Sequence, residues 1–274
     1  MKYDILLRKG RVVDPVNRVD EVLDLGIKGG QIVALAPELD VSEAAEVFTI
    51  PGALVVPGLV DIHVHISAWI GGYRGHKMLA LAGVTTALDL SGPVETVLEM
   101  ARDHGTGLNI ACLNYVRPGH TVKSTDPSRE ELEDLIRESM AKGALGFKLL
   151  GGHYPLTPEA TARAIEVANQ YNAHVSFHAG TLANGSDLNG FKEAVELAGD
   201  NILHLAHINS YCRGRVKPVL EECQEAIETL QAHPNIICES YLSAVNGTSS
   251  KCSAGEPESN VTKTCLEAGG FPPY

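Results

Sequence analysis

The chain has 274 residues, 44% of them hydrophobic and 20% charged, and carries a formal net charge of −12. That is enough chain for one large domain with a small appendage. The acidic balance argues against a nucleic-acid binder, which needs a basic surface for phosphates. No apolar run reaches the length of a membrane span, and Met1-Lys2-Tyr3-Asp4 does not open a signal peptide, so a cytoplasmic protein is expected. Six scattered cysteines form no Cys-x-x-Cys pair. Free thiols in a reducing compartment are expected over a disulfide framework.

Residues 1–54 read as a small β domain. Strand-like runs at Tyr3–Val13, Val22–Lys28, Gln31–Ala36 and Glu46–Ile50 are parted by Asp14-Pro15-Val16-Asn17, Gly29-Gly30 and Pro37. Gly29-Gly30 between two apolar runs signals a two-residue hairpin. A small antiparallel sheet is expected, part of a β-sandwich, too small to hold a sizeable core alone.

From Val55 onward strands alternate with helices. Strands are expected at Val56–His63, Thr85–Asp89, Asn109–Asn114, Ala144–Leu149, His174–His178, Ile202–His207 and Ile236–Ser240. Apolar residues at i, i+3, i+4 predict helices at Glu95–Asp103, Ser128–Lys142, Pro158–Gln170, Gly190–Leu197 and Val216–Gln231. Ser128 with Glu131 reads as a capping box, and Thr157-Pro158 as an N-cap with proline at N1. The rhythm implies an α/β fold with a parallel sheet, and seven units imply a (β/α)8 barrel over residues 55–274 that stops before strand eight. After Ser240 come a Gly/Ser/Asn-rich loop, Asn246–Ser250, and a short helix candidate at Asn260–Ala268. Such a barrel leaves the edges of strands one and seven unpaired. A second polypeptide supplying the missing C-terminal part is therefore expected, together with a homo-oligomer.

The most informative stretch is Val55-Val56-Pro57-Gly58-Leu59-Val60-Asp61-Ile62-His63-Val64-His65. Residues i and i+2 of a strand share a face, so His63 and His65 present two imidazoles side by side. Two surface histidines on an edge strand are the ordinary alternative. Closing a strand that reads as buried, the pair would be costly without a partner, and a metal is the better reading. Barrel enzymes keep their active residues at the C-terminal ends of the strands. Lys148 ends strand four, His178 strand five, and strand six holds His204 and His207.

Pro-Gly-Leu-Val-Asp-Ile-His-Val-His resembles the first barrel strand of the amidohydrolase superfamily, and the likeness extends over most of the chain. The resemblance implies a binuclear site, with His63 and His65 on one metal, His178 and His207 on its neighbour, and Lys148, carboxylated, bridging the two. His207 fits the strand-six pattern better than His204, which is left to packing or support. Lys148 is otherwise a snorkelling surface lysine; the apolar run before it favours the ligand. Two Zn2+ are expected, with Mn, Fe or Co as alternatives.

The implied activity is hydrolysis of a C–N bond in an amide or cyclic amide, such as an N-acyl amino acid, a dihydroorotate or a hydantoin, by a metal-bridging hydroxide. A deaminase of the same superfamily, or a non-catalytic homologue that serves as an assembly partner, are the alternatives. The general base of the resembling enzymes is an aspartate ending strand eight, expected beyond residue 274. Neither Asp61 nor Asp89 is assigned that role. Three residues are candidates for contact with a small-molecule substrate. Tyr154 follows the strand-four lysine and is otherwise a packing aromatic. Arg213, after strand six, suits a carboxylate and is equally a surface arginine. His120 lies in a Gly-His element that resembles D-aminoacylases, although the cysteine ligand those enzymes place after strand two is absent.

Overall fold

The computed structural model describes residues 1–241, 252–253 and 255–257. The residues group into two compact units, Met1–Cys112 and Leu113–Tyr274. The loop expected at Asn246–Ser250 and the helix expected at Asn260–Ala268 lie outside the described residues.

The first unit begins with β1 (Tyr3–Asp14), β2 (Val19–Lys28), β3 (Gln31–Ala36), β4 (Ala44–Thr49) and β5 (Leu54–Val55). β1–β2 and β2–β3 pair antiparallel. The hairpin between β2 and β3 turns on Gly29 and Gly30 at φ 57° and 76°, the two left-handed positions that such a turn requires. The sheet is not wholly antiparallel as expected, because β4 and β5 both pair parallel to β1. The chain crosses over between β3 and β4 and does not turn back as a hairpin. Tyr3, Leu6 and Ala44 form its small core. Asp24, also buried, accepts hydrogen bonds from Arg8, Lys9 and Leu39.

The same unit continues with β6 (Leu59–Val64), α1 (Gly72–Leu81), β7 (Val84–Asp89), α2 (Val94–His104) and β8 (Asn109–Cys112). β6, β7 and β8 form a three-stranded parallel sheet. Helix α1 was not expected. Its sequence is punctuated by Gly72 and Gly75, and only His76 is buried, so it carries no apolar stripe to read. The apolar run before His63 is not buried as expected. β6 is an edge strand of its sheet, and Leu54, Val56, Leu59, Val60 and Ile62 are exposed.

The second unit contains β9 (Asn114–Val116), α3 (Arg129–Ala141), β10 (Gly146–Leu150), α4 (Pro158–Gln170), β11 (His174–His178), α5 (Leu188–Ala198), β12 (Leu203–Leu205), α6 (Val219–Ala232) and β13 (Ile236–Cys238). A two-residue pair, β14 (Cys252–Ser253) and β15 (Glu256–Pro257), follows. β9 to β13 form one parallel sheet in chain order. The expected third barrel strand is thus two strands, one on each side of the fully buried Leu113: β8 pairs with β7, and β9 with β10. Among the described residues the barrel strands make two parallel sheets and do not close, and β6 and β13 are edges.

Alternation explains how the second sheet serves two purposes. Phe147 and Leu149 on β10, Val175 and Phe177 on β11, and Leu203 and Leu205 on β12 belong to one core with residues of α3, α4 and α5. The intervening positions are polar. Lys148 stands in register with Ser176, and Ser176 with His204. Two helix starts follow the expected chemistry: Ser128 Oγ accepts from Glu131 N, and Thr157 Oγ1 from Ala160 N. The capping box is half formed, because the Glu131 carboxylate turns to Lys123 N.

Candidate functional site

In the first unit, His63 lies within β6 and His65 one residue past its end. Their ring centroids are 5.1 Å apart, edge to face, as the i, i+2 spacing requires. His63 N donates to Asp61 Oδ1 at 3.1 Å. The backbone just beyond the pair is held by Asp89, fully buried at the end of β7. Its carboxylate accepts from Ile66 N at 2.7 Å, Ser91 Oγ at 2.7 Å, and Ser91 N and Gly92 N at 2.9 Å each. Ser67 Oγ meets Ser91 Oγ at 2.7 Å. Gly71 closes the turn: a Cβ there would lie 2.2 Å from His65 O. Both aspartates thus serve the backbone that carries the two imidazoles.

In the second unit, His178 ends β11 and its ring centroid is 4.4 Å from that of His207. His207 does not end a strand as expected. β12 stops at Leu205, and His207 takes the left-handed conformation at φ 39°, ψ 61°, before a short 3-10 turn. Such backbone strain at a non-glycine residue gathers at functional sites. Ser210 Oγ donates to His207 O at 2.8 Å and lies 2.5 Å from His207 Nδ1. One hydroxyl proton cannot serve both contacts. The Ser210 contact at Nδ1 fixes the orientation of the His207 ring. His178 Nε2 meets Ser186 Oγ at 2.9 Å.

Lys148 is 1% exposed, and its Nζ donates to Ser176 Oγ at 3.2 Å. Burial pushes its pKa down to about 7, against the upward pull of Glu239. His204 is the buried neighbour in this row. It contacts His174 at 3.2 Å and Glu239 at 3.6 Å. Burial, with the charges of His204 and Lys148, lowers the His174 pKa to about 4.

The substrate candidates fall on three loops. Tyr154 lies under the Arg117 guanidinium, 4.2 Å from its ring centroid. His120 Nδ1 is 3.2 Å from Tyr115 OH. Arg213 donates through Nη2 to Tyr241 OH. Several neighbours of the histidines were not singled out in the sequence: Ser186, Ser210, Tyr211, Tyr241 and His153, whose ring centroid is 5.3 Å from that of His178. Gly151-Gly152 was the available signal for His153. A Cβ on Gly152 would lie 2.1 Å from His178 Nε2, and one on Gly151 would lie 2.0 Å from Gly180 O. Only glycine lets this loop approach so closely. Among the described residues no group of three or more His, Cys, Asp or Glu side chains is placed to hold an ion. Cys112, Cys212, Cys223 and Cys238 are free thiols, as expected.

Residues 54–238 match the model of the amidohydrolase family. The chain belongs to that family, and its fold is that of the family's α/β barrel. It is similar to the dihydroorotase of Streptococcus pneumoniae serotype 4, 29% identical over 185 residues that cover 64% of this chain and 42% of the relative. Among solved structures it resembles the D366A mutant of a D-aminoacylase in complex with CuCl2, with TM-score 0.65 and 19% identity over 87% of this chain and 58% of that one. It also resembles the L-hydantoinase of Arthrobacter aurescens, with TM-score 0.60 and 18% identity over 87% and 58% of the two chains. The chain spans less than half the length of the curated relatives it matches. Among the described residues no helix is long and apolar enough to cross a membrane.

Proposed function

We propose that this chain supplies the metal ligands of a hydrolase that cleaves a C–N bond in an amide or cyclic amide, such as an N-acyl amino acid, a dihydroorotate or a hydantoin. The observation that carries the reading is Lys148, a lone buried amine in the polar row of a parallel sheet, with its pKa held near 7. An ammonium has no lone pair to offer a cation. A pKa near 7 leaves much of the amine neutral at physiological pH. Neutral Nζ can then attack CO2, lose one proton and become a carbamate with two oxygen donors.

The donor set fits divalent ions: His63 and His65 would hold one, His178 and His207 its neighbour, and Lys148 both. Zinc suits these donors, as do manganese, iron and cobalt. When bound, two such ions acidify a water and polarise the scissile carbonyl. The chain's own groups support this. Ser210 orients His207 and Ser186 orients His178. Arg213 offers its guanidinium to a substrate carboxylate, and Tyr154 and His120 line the loops that receive the rest of the substrate.

The functional division in this reading is 1–54 as a small β domain and 55–274 as the hydrolase barrel. The same reading places the enzyme in the cytoplasm as a homo-oligomer acting on a small-molecule substrate. Metal analysis of the purified protein, with whatever polypeptide accompanies it, is the test. Two ions per site are expected. Lys148→Ala should retain one at most and lose hydrolysis of a dihydroorotate, hydantoin and N-acyl amino-acid panel by about a thousandfold. One ion in the wild type points to a deaminase and none to a non-catalytic homologue. A full metal complement and normal turnover in Lys148→Ala would overturn the bridging role.

A further inference from the structure

The loop after β12 carries Arg213 and Arg215 and is built around a carboxylate that the reading above does not use. Glu222, near the start of α6, is completely buried. Its Oε2 accepts from Gly214 N at 2.6 Å, and its Oε1 from Val216 N at 2.7 Å and Lys217 N at 3.0 Å. The Arg215 amide also favours the charged carboxylate. Burial drives the carboxyl pKa up, but the four amides outweigh it and hold the group below the usual glutamate range. α6 has Pro218 at its N-cap and no side-chain cap. Glu222 places its negative charge at the positive end of the helix and spends its acceptors on the loop that precedes it.

The same residue clamps Arg213 from both sides. Cys212 Sγ donates to Glu222 O at 3.6 Å, and Gly214 N to Glu222 Oε2. Between these two anchors the Arg213 backbone has little freedom, and its guanidinium is directed to Tyr241 OH. Gly214 is part of the device. It sits at φ 75°, and a Cβ there would come 3.0 Å from Val219 Cγ2.

We propose that Glu222 is the positioning residue of the substrate-carboxylate site: it holds Arg213 where a guanidinium can clamp an acidic substrate, and so sets preference for acidic substrates without touching them. This rests on the carboxylate-binding reading of Arg213. Glu222→Gln keeps one acceptor but turns an amide NH2 toward backbone donors, so it should release the loop while α6 stays in place.

Two readouts test the inference. Trypsin cleavage after Arg213 and Arg215 should rise at least tenfold in folded Glu222→Gln. For a carboxylate-bearing substrate, KM should rise about tenfold with kcat nearly unchanged, whereas a neutral cyclic amide should shift less than about twofold. Gly214→Ala, which strains the loop and leaves Glu222 intact, should reproduce both effects and covers the case in which Glu222→Gln does not fold. Unchanged cleavage in both variants overturns the proposal. So does faster cleavage with equal KM changes for the two substrate classes, because the carboxylate would then be a loop staple alone. If Arg213→Met leaves KM for acidic substrates unchanged, the reading of Arg213 fails, and this inference with it.

Discussion

Phe147, Leu149, Val175 and Phe177 in the five-stranded sheet are fully or almost fully buried, whereas Leu59, Val60 and Ile62 on β6 are 55%, 63% and 43% exposed. Each region nevertheless presents a histidine pair at or just beyond its strand ends, with rings 4.4 Å apart in one and 5.1 Å in the other. What fixes the rings differs. Around His178 and His207 the backbone rests on a helix-packed core, and serine hydroxyls finish the orientation. Around His63 and His65 a small core (Val64, Ile66 and Ala87) contributes less. There the local order comes from carboxylates, with Asp61 on His63 N and Asp89 on Ile66 N. Packing and buried charge are two routes to the same preorganisation, and they should fail under different perturbations.

The largest expected difference is in the core. Phe177→Ala should destabilise the protein by about 3–5 kcal/mol, through lost transfer energy and a cavity that cannot collapse. Val60→Ala, at an exposed position, should change stability by less than about 0.5 kcal/mol. Denaturant midpoints at constant m-value measure both. A large loss in Val60→Ala would show that β6 is covered in solution, and the contrast between the sheets would disappear.

Asp89→Asn attacks the other route. The amide keeps one acceptor and presents an NH2 to donors that need an acceptor. With hydrogen bonds to a buried charge worth about 1.5–3 kcal/mol each, a net loss of about 2–3 kcal/mol is expected. The sharper readout is metal. Titrating Co2+ into the variant should show weaker occupancy at His63 and His65 than an equally destabilising core substitution such as Leu132→Ala. Equal occupancy in the two would make Asp89 a general stabiliser only.

Much of this was legible in the sequence, for reasons that the same contrast explains. The strand His174–His178 and the helix Pro158–Gln170 have their expected bounds, because alternation, an N-cap and a proline at N1 agreed with the tertiary packing. Helix α1 was missed because its glycines and polar residues bury only His76. The burial of β6 was overestimated because an apolar run records composition and says nothing of what covers it. The end of β12 was misplaced because a left-handed residue at His207 breaks the alternation on which strand parity depends. The histidines at or near the strand ends were readable from spacing and alternation. Their supporting groups, Ser186, Ser210 and Glu222, were not, since contacts between neighbouring loops leave no periodic trace.

A pH titration separates the sheets next. His174 has its pKa lowered from 6.5 to about 4 by burial and by the charges of His204 and Lys148. A depressed histidine stays neutral in the folded state while the unfolded chain binds a proton, so stability falls as pH drops from 6.5 toward 4. Discounted for partial exposure, this contribution is on the order of 2 kcal/mol. His174→Gln should flatten the stability profile over that window. An unchanged slope would place the acid sensitivity elsewhere.

The smallest effect compares helix starts. α3, α4 and α5 in the second unit begin on Ser128, Thr157 and Asp187, each accepting a backbone N–H. α1 and α2 in the first unit begin on Gly71 and Pro93, with no side-chain cap. The Gly71 position cannot be improved, because a Cβ there meets His65 O at 2.2 Å; the close approach that shapes the turn after His65 excludes a capping hydroxyl. At Thr157 the hydroxyl accepts from Ala160 N at 3.1 Å and lies 3.5 Å from Asp126 Oδ1. Thr157→Ala should therefore cost about 1 kcal/mol, whereas Thr157→Ser should recover most of it. Hydrogen exchange locates the loss: amides in the first turn of α4 should exchange faster, and those of β6 and β7 should not change. Uniform acceleration across both units would mean that the cap acts on global stability, and that the two regions open together.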